Sequence, residues 1–239
     1  NVKTGGAANN FKYLLNFSGA DIIMFCDQDD VWLEDKISVM LAEFVKHDQN
    51  VPVVLYSRAY LYKSSVHNIF GMQPLVDITC LQDFLFLNAG PLGCTIMTNA
   101  KTIEIARGFS GNIAMHDHLI SLIGVVFGKV FFINDRLMLY RQHQANVTGN
   151  QQGSLRGKLL SFFKKGKTVI ESHHYDSVKS FYTQYYNQIS DSKKRIIEDY
   201  LAFPSEHLFK KIRIIFKDKF KIFNSSLILV VKTLIRVPI

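Results

Sequence analysis

No two cysteines in this chain stand close together. The three present, Cys26, Cys80 and Cys94, are odd in number and widely spaced, which excludes a CxxC metal or redox pair and a disulfide framework. A reduced, intracellular setting is the simplest expectation from that usage. Long apolar runs are also missing: the nearest, Leu227 to Ile235, is short and interrupted by Lys232, well below the roughly 18–20 residues a membrane-spanning helix needs. Tryptophan occurs once, at Trp32, and no internal repeat or low-complexity tract is visible. The chain opens on Asn1 with no basic-then-apolar signal segment behind it, and we read it as starting partway through a protein.

Apolar residues are plentiful. They make up 48% of the 239 residues, enough for a sizeable core and for one domain with an appendage. The charge is divided unevenly. Residues 1–150 carry 11 Lys+Arg against 13 Asp+Glu, whereas residues 151–239 carry 17 against 7. A near-neutral front with a basic tail predicts two roles, and a basic tail suits an anionic partner or a solvated helical face.

Alternation of strand and helix signals up to about residue 149 predicts an α/β domain over 1–150. A helix is expected over 10–17, a buried strand over 22–26, a helix carrying Leu33, Ile37, Met40, Leu41, Phe44 and Val45, and a strand over 51–61. Residues 63–77 read as loop, 78–87 as helix, 94–97 as strand and 100–107 as helix. Met115 to Phe127 is an almost wholly apolar helix stopped by Gly128. Two short strands, 130–133 and 136–141, are expected around a turn at Asn134-Asp135. From Ser154 the pattern is helical, over 154–165, 175–189, 190–202 and 205–222, giving a basic helical extension over 151–239.

The chemistry concentrates in Asp27-Gln28-Asp29-Asp30, which follows the apolar run Ile22 to Cys26. Carboxylates at the end of a strand lie at the sheet edge where open α/β folds bind ligands. Mg²⁺ or Mn²⁺, bound by one or two of them together with diphosphate oxygens, would relieve their mutual repulsion. A plain acidic turn, with Asp30 capping the following helix, explains one aspartate but not three. Asp117 opens an apolar helix, where the helix N-terminus favours a carboxylate. Arg141 carries a guanidinium suited to phosphate, and His143 follows the same strand as either a structural residue or a metal or diphosphate contact. Trp32 is expected to pack, and His173-His174 to lie on the surface without partner ligands.

The run DQDDVW resembles the DxD segment of the family-2 glycosyltransferases, in particular their rhamnosyltransferase-like branch. The likeness continues in order through Gly93-Cys94-Thr95, Met115-His116-Asp117 and Tyr140-Arg141-Gln142-His143 with Asn146, Val147 and Gly149. It covers roughly residues 5–150. The resemblance implies a GT-A-like fold, a partial Rossmann-like sheet flanked by helices. It also implies a metal-dependent, inverting transfer of a sugar, rhamnose by the branch's usual association, from a nucleotide-sugar donor. Asp27 and Asp29 match the donor-binding aspartates, Asp29 with His143 the metal site, Gly93 and Arg141 the donor pocket, and Asp117 the general base. The branch places Trp after that base, whereas His118 stands here. The segments that hold the nucleoside base in the family are not in this sequence, so residues 1–239 alone are expected to show weak or no transfer.

Cations and aromatics interleave over residues 205–239, as in an interfacial helix on anionic lipid. That pattern predicts peripheral contact with an anionic membrane at its cytoplasmic face, a glycan or lipid-linked acceptor, and cell-surface polysaccharide synthesis. No nucleic-acid-binding module accompanies the charge. Two other readings fit parts of the sequence. A haloacid-dehalogenase-type phosphohydrolase would use Asp27 as nucleophile but needs a distal acidic pair. A non-catalytic membrane-surface module would use only the tail.

Overall fold

The protein is described by a computed structural model, which covers residues 6–63, 68–72, 77–88, 90–142 and 167–239. The elements in chain order are α1 (Ala7–Leu15), β1 (Ile22–Met24), β2 (Val31–Trp32), α2 (Lys36–Phe44), β3 (Val53–Lys63), β4 (Asn68–Met72), α3 (Leu81–Phe84) and β5 (Ile96–Asn99). They continue with α4 (Ala100–Gly108), α5 (His116–Phe127), β6 (Lys129–Arg141), α6 (Ser172–Tyr185), α7 (Asp191–Ala202), α8 (Leu208–Lys217) and α9 (Ser226–Ile235).

One mixed sheet has the order β1-β5-β3-β6-β2, with β4 added to the far half of β3. β3 runs parallel to β6 and antiparallel to β4 and β5. Alternation along β3 builds a core on each face, because successive side chains point to opposite sides of a strand. Val54 and Tyr56 join the larger cluster with α5, α4 and the C-terminal helices. Val53 and Leu55 join Met40 and Phe44 of α2 on the other. The C-terminal helices share the larger core: Phe181, Tyr200, Phe203, Phe220 and Leu229 are fully buried in the same cluster as Leu122 and Ile123 of α5. Among the described residues the fold is α/β, a sheet with helices on both faces.

Several sequence expectations are corrected. The run at 22–26 forms only an edge strand, half-buried because β5 is its single neighbour. Residues 63–77 contain strand β4, which extends the hairpin from β3. The helix expected over 78–87 is a single turn, α3. Residues 94–97 begin as a 3₁₀ turn, Gly93–Thr95, before β5. The turn at Asn134-Asp135 does not form. β6 is continuous, and its register against β3 slips around those residues, pairing Tyr56 with Phe132 but Arg58 with Arg136. The extra residues bulge out, and Arg58 Nη1 donates to Asn134 Oδ1 at 3.1 Å across the bulge. The last expected helix stops at Lys217, and a further helix, α9, follows. The helix expected over 154–165 lies outside the described residues, as does the boundary near 150.

Gly128 ends α5 and lets the chain turn directly into β6. A Cβ there would lie 1.8 Å from the Pro52 carbonyl oxygen, which instead accepts from Lys129 N at 3.0 Å. That contact aligns β6 with the start of β3 and fixes the end of α5. The start of the same helix carries Asp117.

Candidate active site

The carboxylate turn is built by the strands on either side of it. Phe25 drops into the core after β1, and the chain reverses so that Asp30 N donates to Asp27 O at 3.4 Å. β2 then pairs with β6, Val31 opposite Leu139 and Trp32 opposite Met138. This pairing brings Arg141, at the end of β6, against the turn. Its backbone N–H donates to Asp30 Oδ1 at 2.9 Å and its Nε to Asp29 O at 2.5 Å. Asp30 is therefore held by β6 and does not cap a helix; the residue at the cap of α2 is Asp35. Arg141 works here as a brace for the turn.

Burial, followed by repulsion from Asp29, raises the Asp27 pKa above its ordinary value. Burial also raises that of Asp30, against the pull of the Arg141 amide and the Cys94 thiol. Asp30 Oδ2 is buried with no hydrogen-bond partner among the described residues. Ligand atoms of Asp27, Asp30 and Cys94 lie within 4.8 Å of one another. A buried orphan oxygen and two crowded carboxylates fit a hard divalent cation, which takes oxygen ligands. The Cys94 thiol does not fit that cation. It is buried, and burial holds its pKa well above the ordinary value, so it stays protonated beside Asp30.

Sequence reasoning missed Lys36 as part of this site. It begins α2 and is fully buried. Its Nζ donates to Cys94 O at 2.6 Å and sits 4.0 Å from the Trp32 ring centroid. Burial lowers its pKa to about 8, although Asp30 and Asp27 favour its charged form. The signal lay in its spacing, four residues after the only tryptophan, where a helix start can fold a cation back over the ring. Trp32 packs, as expected, beside Leu92, Cys94, Met138 and Tyr140.

Asp117 faces the turn from α5. Met115 enters the helix extended and no side chain caps the first turn. Asp117 supplies the acceptor: Oδ1 takes the His118 N–H at 2.7 Å and Oδ2 the Gly93 N–H at 3.2 Å. Close packing around its partly solvent-reachable carboxyl raises the pKa to about 6; the two amides oppose that rise and the charge of Asp27 adds to it. Asp27 and Asp117, distant in sequence, thus act on each other across one site. Gly93 permits the close approach of the 3₁₀ turn to α5. A Cβ there would lie 2.2 Å from His116 Nε2. His116 is buried, stacks on Phe11 with ring centroids 4.0 Å apart, and has neither ring nitrogen partnered among the described residues. Burial lowers its pKa to about 4, so it is neutral at pH 7.

The structure gathers Asp27, Asp29, Gly93, Asp117 and Arg141. His143 lies outside the described residues, as do Asn146 and Gly149. His118 is a core residue, its Nδ1 3.4 Å from Ser177 Oγ and its ring 4.5 Å from that of His174. It ties α5 to the C-terminal helices. His174 is correspondingly buried, contrary to the surface position expected for it.

No family model matches the chain. It is 31% identical over 163 residues to the dTDP-rhamnosyl transferase RfbG of Shigella flexneri, a match that takes in 62% of this chain and 53% of that protein. The chain spans about half the length of this curated relative. This identity relates the chain to a glycosyltransferase.

Proposed function

We propose that this chain carries donor-diphosphate and acceptor-activating residues of a family-2, GT-A-type glycosyltransferase. Such an enzyme moves a sugar from a nucleoside-diphosphate donor to a glycan or lipid-linked acceptor in cell-surface polysaccharide synthesis. The observation that carries this reading is Asp117, held by the Gly93 amide and sensitive to the charge of Asp27. The relative's name suggests a dTDP-rhamnose donor.

Asp27, Asp29 and Asp30 would hold a divalent cation, Mg²⁺ or Mn²⁺, and Asp29 would face the donor diphosphate; His143 is a further proposed ligand. When bound, the cation supplies charge neutralisation to the departing nucleoside diphosphate. Gly93 lines the donor pocket, and Arg141 keeps the carboxylate turn in register. Asp117 accepts the proton of the acceptor hydroxyl while that oxygen attacks the anomeric carbon. The bond from that carbon to the diphosphate oxygen breaks on the opposite side, so the configuration inverts.

Calorimetric titration of the complete protein with dTDP, with and without Mn²⁺, tests the donor site. Binding is expected to require the cation and to weaken at least about tenfold in Asp29→Asn and in Asp27→Asn, the loss usual for a charge-assisted contact. Equal affinity in the parent and both variants would remove the carboxylate turn from the donor site.

The tail supports membrane contact. No helix among the described residues is long and apolar enough to cross a membrane. α9 nevertheless presents Leu227, Ile228, Val231 and Leu234 to solvent, an apolar stripe at helical spacing, with Leu227 67% exposed. Phe209 at the start of the adjoining α8 is 88% exposed and is followed by Lys210, Arg213 and Lys217. An apolar face bordered by lysines suits the headgroup region of anionic lipid, at the cytoplasmic face in this reading. The protein is expected to sediment with phosphatidylglycerol vesicles and not with phosphatidylcholine, and to lose that binding in Phe209→Ser/Leu227→Ser. Binding unaffected by the double substitution would leave a non-catalytic or different docking surface in its place.

A further inference from the structure

A second cluster of metal-ligating side chains lies away from the carboxylate turn. Glu171, His173 and His174 each offer a ligand atom, and these atoms lie within 4.8 Å of one another. The segment that carries them is firmly held. Asn88 Oδ1 accepts from Glu171 N at 3.1 Å, and Asn88 Nδ2 donates to Val169 O at 3.2 Å. Val169 N and Ile170 N donate to Val237 O and Pro238 O near the end of the chain. Glu171 therefore sits at a fixed entry to α6, with the two histidines in its first turn.

An independent observation marks the cluster as a ligand site. The His174 side chain is 6% exposed, and its Nδ1 is buried with no hydrogen-bond partner among the described residues. A buried imidazole nitrogen without a partner carries a desolvation cost that a metal bond would offset. His173 and Glu171 are half-exposed, so an ion could reach the site from solvent. Burial, aided by His173 and Lys232, lowers the His174 pKa to about 4, leaving the imidazole unprotonated at pH 7.

We propose that Glu171, His173 and His174 form a binding site for a borderline divalent transition metal, such as Zn²⁺ or Ni²⁺. Two imidazoles and one carboxylate select that class over Mg²⁺ or Ca²⁺, which take oxygen shells. The charged groups around it are Glu171 itself, Lys232 beside His174, and Arg236 beside Glu171; His118 packs edge-on against His174. Arg236 opposes the ion at every pH. Lys232 opposes it too, though burial lowers its pKa to about 8. All three ligands lie where the chain enters α6, so the ion would brace that entry, whether or not the chain is a transferase.

Zn²⁺ titration of the chelator-treated complete protein, read by calorimetry and by melting temperature, tests the site. One equivalent is expected to bind and raise the melting temperature. Affinity is expected to fall at least about tenfold in Glu171→Gln and in His173→Ala, both half-exposed positions where substitution spares the core. Asp27→Asn should retain the binding. No saturable Zn²⁺ binding, or binding unchanged in both Glu171→Gln and His173→Ala, would overturn the proposal. If His174→Ala fails to fold, the two exposed variants still decide the matter.

Discussion

Asp117→Asn is expected to lower the turnover of the complete protein by roughly 10²–10⁴-fold, the usual contribution of a general base. Its affinity for dTDP should stay close to that of the parent. The amide keeps the shape of the carboxylate and one acceptor oxygen for the Gly93 or His118 N–H. It cannot take a proton. A pH profile adds a second signature. The Asp117 pKa is raised from 3.8 to about 6 by burial. The base works only when ionised, so kcat/KM should rise with pH through about 6. Asp27→Asn removes a nearby charge and should move that acid limb to lower pH.

Stability follows the opposite course. Below pH 3.8 the carboxyl is protonated in both folded and unfolded states and contributes no pH dependence. Between there and about 6 the folded state binds the proton more tightly, so stability falls as pH rises. Above that window the full cost of burying the charge is present. Asp117→Asn removes the cost. Its melting temperature at pH 7.5 is therefore expected to match or exceed the parent's, with a flatter profile between pH 4 and 6. Loss of turnover together with a lower melting temperature would point to a structural role.

The Gly93→Ala variant should lose both stability and rate. The added methyl would lie 2.2 Å from His116 Nε2 and 3.0 Å from Cε1. His116 has little room to retreat, because Phe11 stacks on one face and Phe25 lies 5.2 Å from its centroid. Overpacking of this kind costs roughly 1–3 kcal/mol. For a domain of this size that lowers the melting temperature by about 2–10 °C. The Gly93 N–H that holds Asp117 would move as the loop gives way. A misplacement on the order of 1 Å near the base costs roughly 10²-fold in rate. His116→Ala in the same chain makes room for the methyl, and the double variant should recover melting temperature relative to Gly93→Ala alone. A Gly93→Ala protein as stable and as active as its parent would exclude the close packing described.

The parts of this molecule legible in its sequence are those with strong local pattern. β3 and α5 are long and apolar, and their limits follow from composition and from Gly128. The turn at Asn134-Asp135 misled because its partner strand β3 runs past it on the parallel side. Continued pairing at Arg58 to Tyr62 outweighs a local turn preference. In α2 the apolar stripe is wider than the buried face. Met40 and Phe44 reach the core while Ile37, Leu41 and Val45 remain exposed. Periodicity alone could not say which side was covered.

At the site, the residue types were readable and their relations were not. Asp27 and Asp29 stand out because carboxylates clustered after an apolar strand have few structural uses, whereas a carboxylate at a helix start is common and Asp117 stands out only through the family resemblance. Lys36 and His174 stayed hidden because their burial depends on contacts with distant segments, Cys94 for one and His118 for the other. The guanidinium of Arg141 suits phosphate or a surface ion pair, and only the pairing of β2 with β6 shows that its Nε also braces the backbone of the carboxylate turn.

In the proposed mechanism Asp27 and Asp29 hold the donor diphosphate, and Asp117 lies across the sugar from it, beside the acceptor hydroxyl. A crystal structure of the complete protein with dTDP and Mn²⁺, with the ion located by its anomalous signal, tests this directly. The account predicts an Mn²⁺ peak between the carboxylates of residues 27–30 and the diphosphate, with the outer phosphate on the side of Asp117. A nucleotide or an Mn²⁺ peak bound elsewhere, with the carboxylate turn empty, would contradict it.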